Sequence, residues 1–283
     1  MKIAIIGLGP IGSTFAFHLA RAGHEVTVVA RNARLAQLEQ ERAIVTTADE
    51  RAPVTVSAAL DTSTAWDLVL VTVLDSQVDA LLPVLRESAA KQVMFMFNTF
   101  SPLDRLRDAV GAHRFVFGFP AILAEFKEGK LKSHVVRRGM ITPVTDPAWA
   151  ETFSKAGIPA EARTDMPSWL RTHAALVVPL MLTAYQAHSR GRGLSWDESR
   201  ALAAGLTEGF ELVRSLGHPL SPPGVAALAL LPAPALTLAV WLFSRNPTVD
   251  TMGAQGLREA RALLEDMIAA APARTPRLQS LRP

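Results

Sequence analysis

The stretch Met1-Lys2-Ile3-Ala4-Ile5-Ile6-Gly7-Leu8-Gly9-Pro10-Ile11-Gly12 decides the fold. Its first half, Lys2 to Ile6, is apolar and β-branched and reads as a buried strand. Gly7-x-Gly9-x-x-Gly12 follows at once, and an apolar run with helical character begins near Ile11. In a strand–turn–helix unit the three glycines have separate tasks. The first permits the tight turn, the second lets a pyrophosphate approach the backbone, and the third lets the helix pack close to the strand. The helix N-terminus offers N–H groups and a partial positive charge to that pyrophosphate. The motif therefore predicts a dinucleotide site at Gly7, Leu8, Gly9, Pro10, Ile11 and Gly12.

The next strand predicts which dinucleotide. Gly23 is placed to stop the first helix, and Val26-Thr27-Val28-Val29-Ala30 reads as a β-branched strand. A site for NAD usually carries Asp or Glu at the end of this strand, to hold the ribose 2′-hydroxyl. Here the strand ends in Arg31-Asn32 with Arg34 close by, and the first acid after Glu25 is Glu39. A guanidinium pairs bidentately with a 2′-phosphate, which a carboxylate would repel. The expected cofactor is NADP(H), with Arg31 on the 2′-phosphate.

Further along, Asp67 to Val73 and Val93 to Phe97 are continuous apolar runs, as in parallel strands buried on both faces. Helical stretches lie between them, and Glu128-Gly129-Lys130 reads as a turn between extended segments. Asp146-Pro147 is a good N-cap and first-position pair. From Pro167 onward the pattern is helical. Ser168 to His188 reads as one long helix, Ser195-Trp196-Asp197-Glu198 is a capping box for the next, and a last helix is expected over 251–271. The predicted fold is α/β: an N-terminal Rossmann-type, doubly wound parallel sheet over 1–164, then an all-helical domain over 165–272. The Pro- and Arg-rich end, 273–283, is expected to be a flexible tail.

Composition narrows the function. Hydrophobic residues make up 49% and charged residues 19%, which predicts a large buried core. A net charge of +3, with no basic run interleaved with aromatics, gives no nucleic-acid footprint. The absence of cysteine excludes disulfides, thiolate catalysis and Cys-ligated metals. The seven histidines show no H-x-x-x-H or H-E-x-x-H spacing, so no metal site is expected. The short N-terminal apolar run passes straight into the glycine motif, unlike a signal peptide, and a cytoplasmic location follows by default. Gly224 to Phe243 is nearly all apolar, but Pro232 and Pro234 should split it into short helices. It reads as buried packing or a homodimer surface rather than a membrane span.

KIAIIGLGPIG, GHEVTVVAR, LVLVTVLDSQV, the strand ending in Asn98, and Trp169 at the start of the long helix together resemble the ketopantoate reductase (2-dehydropantoate 2-reductase) family. The resemblance implies NADPH on the glycine loop and Arg31, with Thr72, Val73 and Leu74 also beside the cofactor. It implies that Asn98 contacts both the nicotinamide side and the substrate. In the family a lysine of the long helix protonates the oxygen as hydride reaches the carbonyl carbon. Here that position is Arg171, the asparagines that should follow it are Ala175 and Pro179, and the lysine after the LVTV-type strand is Leu74.

These departures change the expected chemistry. Arginine, with a pKa above about 12, is a very poor proton donor, but it clamps a carboxylate or a developing oxyanion well. His173 is the natural replacement acid, with an ordinary pKa near 6.5. Asn98, Arg171 and His173 are thus the catalytic candidates. Positions two apart on a helix do not share a face, however, which sets Arg171 against His173. Tyr185 and His188 lie further along the same helix, and Glu208 and Glu211 sit three apart on the next, where a solvated face explains them as well as catalysis does. The expected function is NADPH-dependent reduction of a small 2-oxo acid or related carbonyl. The alternatives are a β-hydroxyacid-dehydrogenase-like or imine-reductase-like oxidoreductase, and a non-catalytic NADP(H)-binding protein.

Overall fold

The structure, a computed structural model, describes residues 1–254 and 257–282. The opening stretch forms β1 (Lys2–Ile6), whose last four residues are buried, and α1 (Pro10–Arg21). There follow β2 (Glu25–Val29), α2 (Asn32–Glu41), and the short strands β3 (Ala43–Val45), β4 (Arg51–Pro53) and β5 (Thr55–Ser57). Next come β6 (Leu68–Val71), α3 (Asp75–Val78), α4 (Leu82–Glu87), β7 (Val93–Met96), α5 (Asp104–Val110) and β8 (Phe115–Gly118). The α/β part ends with a hairpin of β9 (Ile122–Lys127) and β10 (Lys130–Val135), then β11 (Thr142–Val144), α6 (Pro147–Lys155) and β12 (Ala160–Ala162).

Eight of these strands make one sheet, in the order β12-β11-β8-β7-β6-β1-β2-β5. From β5 to β8 every pairing is parallel, and only β11 runs antiparallel to its neighbour β8. The chain runs outward from β1 to β2 and β5, then returns to β6 on the other side of β1. That reversal is the topological switch point where open α/β sheets bind ligands, beyond the carboxyl ends of the strands. All four residues of β6 and of β7 are buried, as their unbroken apolar sequences predict. Helix α1 packs Phe15 and Leu19 into the core beside Ile3, Ile5 and Phe153. Each such side chain contributes about 1.5–3 kcal/mol by leaving water. Asp146 caps α6, accepting from the Ala148 amide at 2.8 Å. The β9–β10 turn needs left-handed backbone at both central residues, Glu128 and Gly129, as expected of a two-residue hairpin loop.

The chain separates into two compact units. Met1–Asn98 with Leu103–Met166 makes the α/β unit, and Thr99–Pro102 joins the residues from Pro167 onward. The second unit contains α7 (Met166–Arg190), α8 (Trp196–Ser215), α9 (Pro223–Ala226), α10 (Ala233–Phe243), α11 (Thr248–Gly253), α12 (Arg258–Ala270) and α13 (Pro276–Ser280). Among the described residues no strand follows β12. The box at the start of α8 is closed on both sides: Ser195 Oγ accepts from the Glu198 amide, and Glu198 Oε2 accepts from the Ser195 amide at 2.8 Å. Within the range 251–271, expected as one helix, residues 255 and 256 lie outside the described residues. The apolar segment divides at Pro232 alone: α10 starts directly after it and takes Pro234 into its first turn. Among the described residues no helix is long and apolar enough to cross a membrane.

The chain end corrects an expectation. Residues 273–282 are not a frayed tail: α13 seals the helical core with Leu278, which is fully buried among residues such as Phe210 and Leu264. Glu208 holds it there, its carboxylate accepting from the amides of Arg277 (3.2 Å) and Leu278 (2.7 Å) at the start of α13. A buried carboxylate on exposed helix N–H groups is a strong cap. The proline and arginine content that suggested disorder had hidden a single well-placed leucine.

Candidate cofactor-binding site

The glycine loop separates what the fold needs from what a ligand would need. Gly7 has φ 98°, and a Cβ there would lie 2.8 Å from Val73 Cγ1 and 2.9 Å from the Val73 amide nitrogen. A Cβ on Gly12 would overlap the Gly7 carbonyl oxygen and come within 2.5 Å of Thr72 Oγ1. Thr72 in turn donates from Oγ1 to the Gly7 carbonyl at 2.7 Å, tying the end of β6 to the loop. Those two glycines are required by the protein itself. Gly9 is different: a Cβ there would meet nothing within 4 Å. It stands at the N-cap of α1, where no side chain caps the helix. The space its missing side chain leaves lies in front of the helix N-terminus, where a pyrophosphate would approach the backbone.

A cleft of about 1040 Å³ opens over this loop. That reaches the upper end of the range for small-molecule sites, about 300–1,000 Å³. Gly7, Leu8, Gly9, Pro10, Ile11, Arg31, Thr72, Val73 and Leu74 all line it. Gly12 does not, because it is spent on the close packing of α1. Asn98 does not either; it follows β7 and ends the first segment of the α/β unit. The cleft also has walls that carry no motif of their own. Ala58, Ala59 and Leu60 come from the loop after β5, Gln77 from α3, Leu81 from the helical turn between α3 and α4, and Phe126 from the hairpin. Among the described residues no acidic side chain lines it, whereas two arginines do, Arg31 and Arg34. Asn32, in the left-handed region at φ 52°, makes the turn from β2 into α2, and Arg31 forms the N-cap of that helix.

In the helical unit the candidate residues have other surroundings. Arg171 is buried, its guanidinium lies 5.8 Å from the Phe100 ring centre, and its Nη1 donates to the Pro167 carbonyl at 3.2 Å. His173 is buried and stacked on Trp169, the rings 5.0 Å apart and within 5° of parallel. Burial lowers its pKa from 6.5 to about 4, because a dry site disfavours the charged imidazolium. This corrects the expectation of a ready general acid, since at neutral pH His173 holds no surplus proton. Tyr185 packs against the helical core, and His188 meets Asp250 at 3.4 Å near the surface. Glu208, one of the acidic pair, is buried rather than solvated, and its carboxylate caps α13. Half-buried His218, which the sequence did not single out, shares a hydrogen bond with Ser168 at 3.2 Å. Burial, and secondarily the charge of Arg171, lowers its pKa. Among the described residues no group of His, Asp or Glu is arranged to hold a metal ion.

The sheet order, glycine loop and cleft define a class: an α/β unit of dinucleotide-binding build, followed by a helical unit. Residues 3–143 match the model of the family described as ketopantoate reductase PanE/ApbA. Over these residues, just under half of the chain, it resembles the ketopantoate reductase family. A 2-dehydropantoate 2-reductase of Vibrio cholerae is 32% identical over 136 residues, a stretch covering 47% of this chain and 42% of that protein. Among solved structures, a PanE/ApbA family ketopantoate reductase from Ralstonia eutropha JMP134 superposes with a TM-score of 0.76 at 22% identity, covering 100% of this chain and 96% of that one. A D-mandelate dehydrogenase in ternary complex with NADH and anilino(oxo)acetate has the same TM-score at 16% identity, covering 100% and 96%. At these identities the two structures share the fold with this chain.

Proposed function

We propose that the protein is an NADPH-dependent reductase of a small 2-oxo acid or a related carbonyl compound. The observation that carries the reading is the cleft over the glycine loop. It is open at Gly9, free of carboxylates among the described lining residues, and provided with Arg31 just after β2, where an NAD site would place an acid. The resemblance of residues 3–143 to the ketopantoate reductase family supports the reaction class. The ternary complex of the mandelate dehydrogenase shows that this fold also serves NADH in another protein, so the phosphate preference rests on Arg31 rather than on kinship.

When bound, the nicotinamide cofactor supplies a hydride to the carbonyl carbon of the substrate. The first-turn amides of α1 would hold its pyrophosphate, and Arg31 its 2′-phosphate. Asn98 would orient ring and substrate through its amide. Arg171 would hold the substrate carboxylate or the oxygen on which negative charge grows, a task suited to a permanent cation in a water-poor site. In this scheme the proton that completes the alcohol comes from water rather than from His173, which burial keeps uncharged. NADPH oxidation measured against a panel of 2-oxo acids tests the proposal, and turnover of at least one is expected. Tight NADPH binding with no turnover on the panel would replace it by the non-catalytic reading. His173→Phe is expected to lower turnover less than about tenfold, against the 10²–10⁴-fold that general acid catalysis typically supplies.

A further inference from the structure

Arg34 is a half-buried cation that the fold holds in place without neutralising it. It lies three residues after Arg31, close to one turn along α2, and both side chains line the cleft. Its guanidinium rests on the Phe126 ring, 4.4 Å from the ring centre, a position a flat delocalised cation favours. Nη1 donates to Gln37 Oε1 at 2.7 Å, and Nη2 donates to Ser13 Oγ in the first turns of α1 at 3.1 Å. Gln37 in turn donates to the Gly129 carbonyl at 3.0 Å, joining α2 to the β9–β10 hairpin. The guanidinium is thus fixed between the phosphate end of the cleft and the end of β2.

All of these partners are neutral. The nearby carboxylate of Glu41 accepts from Gln37 instead of from Arg34. Arg34 Nε is buried with no hydrogen-bond partner among the described residues. Burial lowers the pKa of Arg34, which marks a cation partly stripped of water. A guanidinium has five N–H donors, and two are accounted for. A charge desolvated and left without a counter-ion is a cost that an anion in the cleft would offset.

We propose that Arg34 is a second cation for the cofactor's 2′-phosphate, with Phe126 as the shelf that positions it. This rests on the NADP(H) reading above. Arg31, exposed at the helix start, would meet the phosphate from the solvent side, and Arg34 from the wall of the cleft.

The test is calorimetric binding of 2′,5′-ADP and of ADP to the full chain. Wild type, Arg34→Met, Arg34→Lys and Phe126→Leu are compared, with a thermal melt of each. Met keeps the packing on Phe126 without the charge. Arg34→Met is expected to cut the preference for 2′,5′-ADP over ADP about tenfold or more, as for a lost hydrogen bond to a charged group. ADP affinity should change less than about threefold on the same reasoning. Arg34→Lys should retain part of the preference, because it keeps the charge but not the fork. Phe126→Leu should lose a smaller part. A preference undiminished in both Arg34→Met and Arg34→Lys overturns the inference and leaves the NADP(H) reading standing. So does an equal loss for both ligands, which would mean that Arg34 serves adenine or the fold. A wild-type protein with no preference for 2′,5′-ADP overturns the NADP(H) reading, and this inference with it.

Discussion

The glycine loop of the α/β unit and the start of α7 in the helical unit both carry candidate functional residues, but they are built differently. In the loop, function is carried by backbone. Gly7 must turn, Gly12 must let α1 approach β6, and Gly9 must leave room, so three residue identities translate directly into geometry. At the start of α7 function would be carried by side chains, whose direction depends on what packs around them. Arg171 lies toward Phe100 and His173 toward Trp169. Backbone devices can be read locally, whereas side-chain chemistry depends on neighbours far along the chain.

The contrast can be broken most severely at the loop. Gly12→Ala should destabilise the protein at the upper end of the 1–3 kcal/mol typical of overpacking, about 3 kcal/mol or beyond, because the atoms it meets include backbone that cannot step aside. Gly9→Ala should melt close to wild type, since its Cβ meets nothing, yet lose about tenfold or more in cofactor affinity by standing where the pyrophosphate belongs. Thermal melts with cofactor titrations separate the two. If both variants melted alike, the division between fold glycines and ligand glycine would be wrong.

The next effect sharpens the helical side. His173 has a pKa of about 4 in the folded protein against 6.5 for the exposed group. Between those values the unfolded chain binds a proton that the folded chain rejects. Stability from this group is therefore complete above pH 6.5, falls as the pH drops toward 4, and changes no further below it. The full excursion is worth roughly 3 kcal/mol. Urea unfolding of wild type and His173→Phe across this range should show the steeper acid loss in wild type. Parallel curves would mean that the imidazole is not held dry. A smaller effect is expected at the chain end: Glu208→Ala should cost about 1–2 kcal/mol by uncapping α13, the range typical of lost caps. Truncation before Pro276 should cost more, through loss of Leu278 from the core.

Much of the α/β unit was legible because its signals are periodic and local. Continuous apolar runs marked β6 and β7, Asp146-Pro147 marked α6, and Ser195 with Glu198 marked α8. Arg31 and the absence of an acid after β2 were equally plain. The walls of the cleft at Ala58–Leu60 and Phe126 were not, because they reach the cofactor loop only through the sheet order and the hairpin. Leu278 was masked by neighbours that usually signal disorder, and Glu208 by an i, i+3 partner that suggested a solvated face. His173 had the right residue type, but nothing in its own segment revealed that burial would hold it uncharged.

A cleft built for a phosphorylated ribose, as proposed above, has to discriminate between the two nicotinamide cofactors. Titration of NADPH and of NADH into the wild-type protein and Arg31→Ala tests it most directly. The account predicts that NADPH binds the wild type at least about tenfold more tightly than NADH, and that Arg31→Ala removes most of this difference, the scale of one charge-assisted contact. Equal or tighter binding of NADH, or a ratio that survives the loss of Arg31, would contradict it.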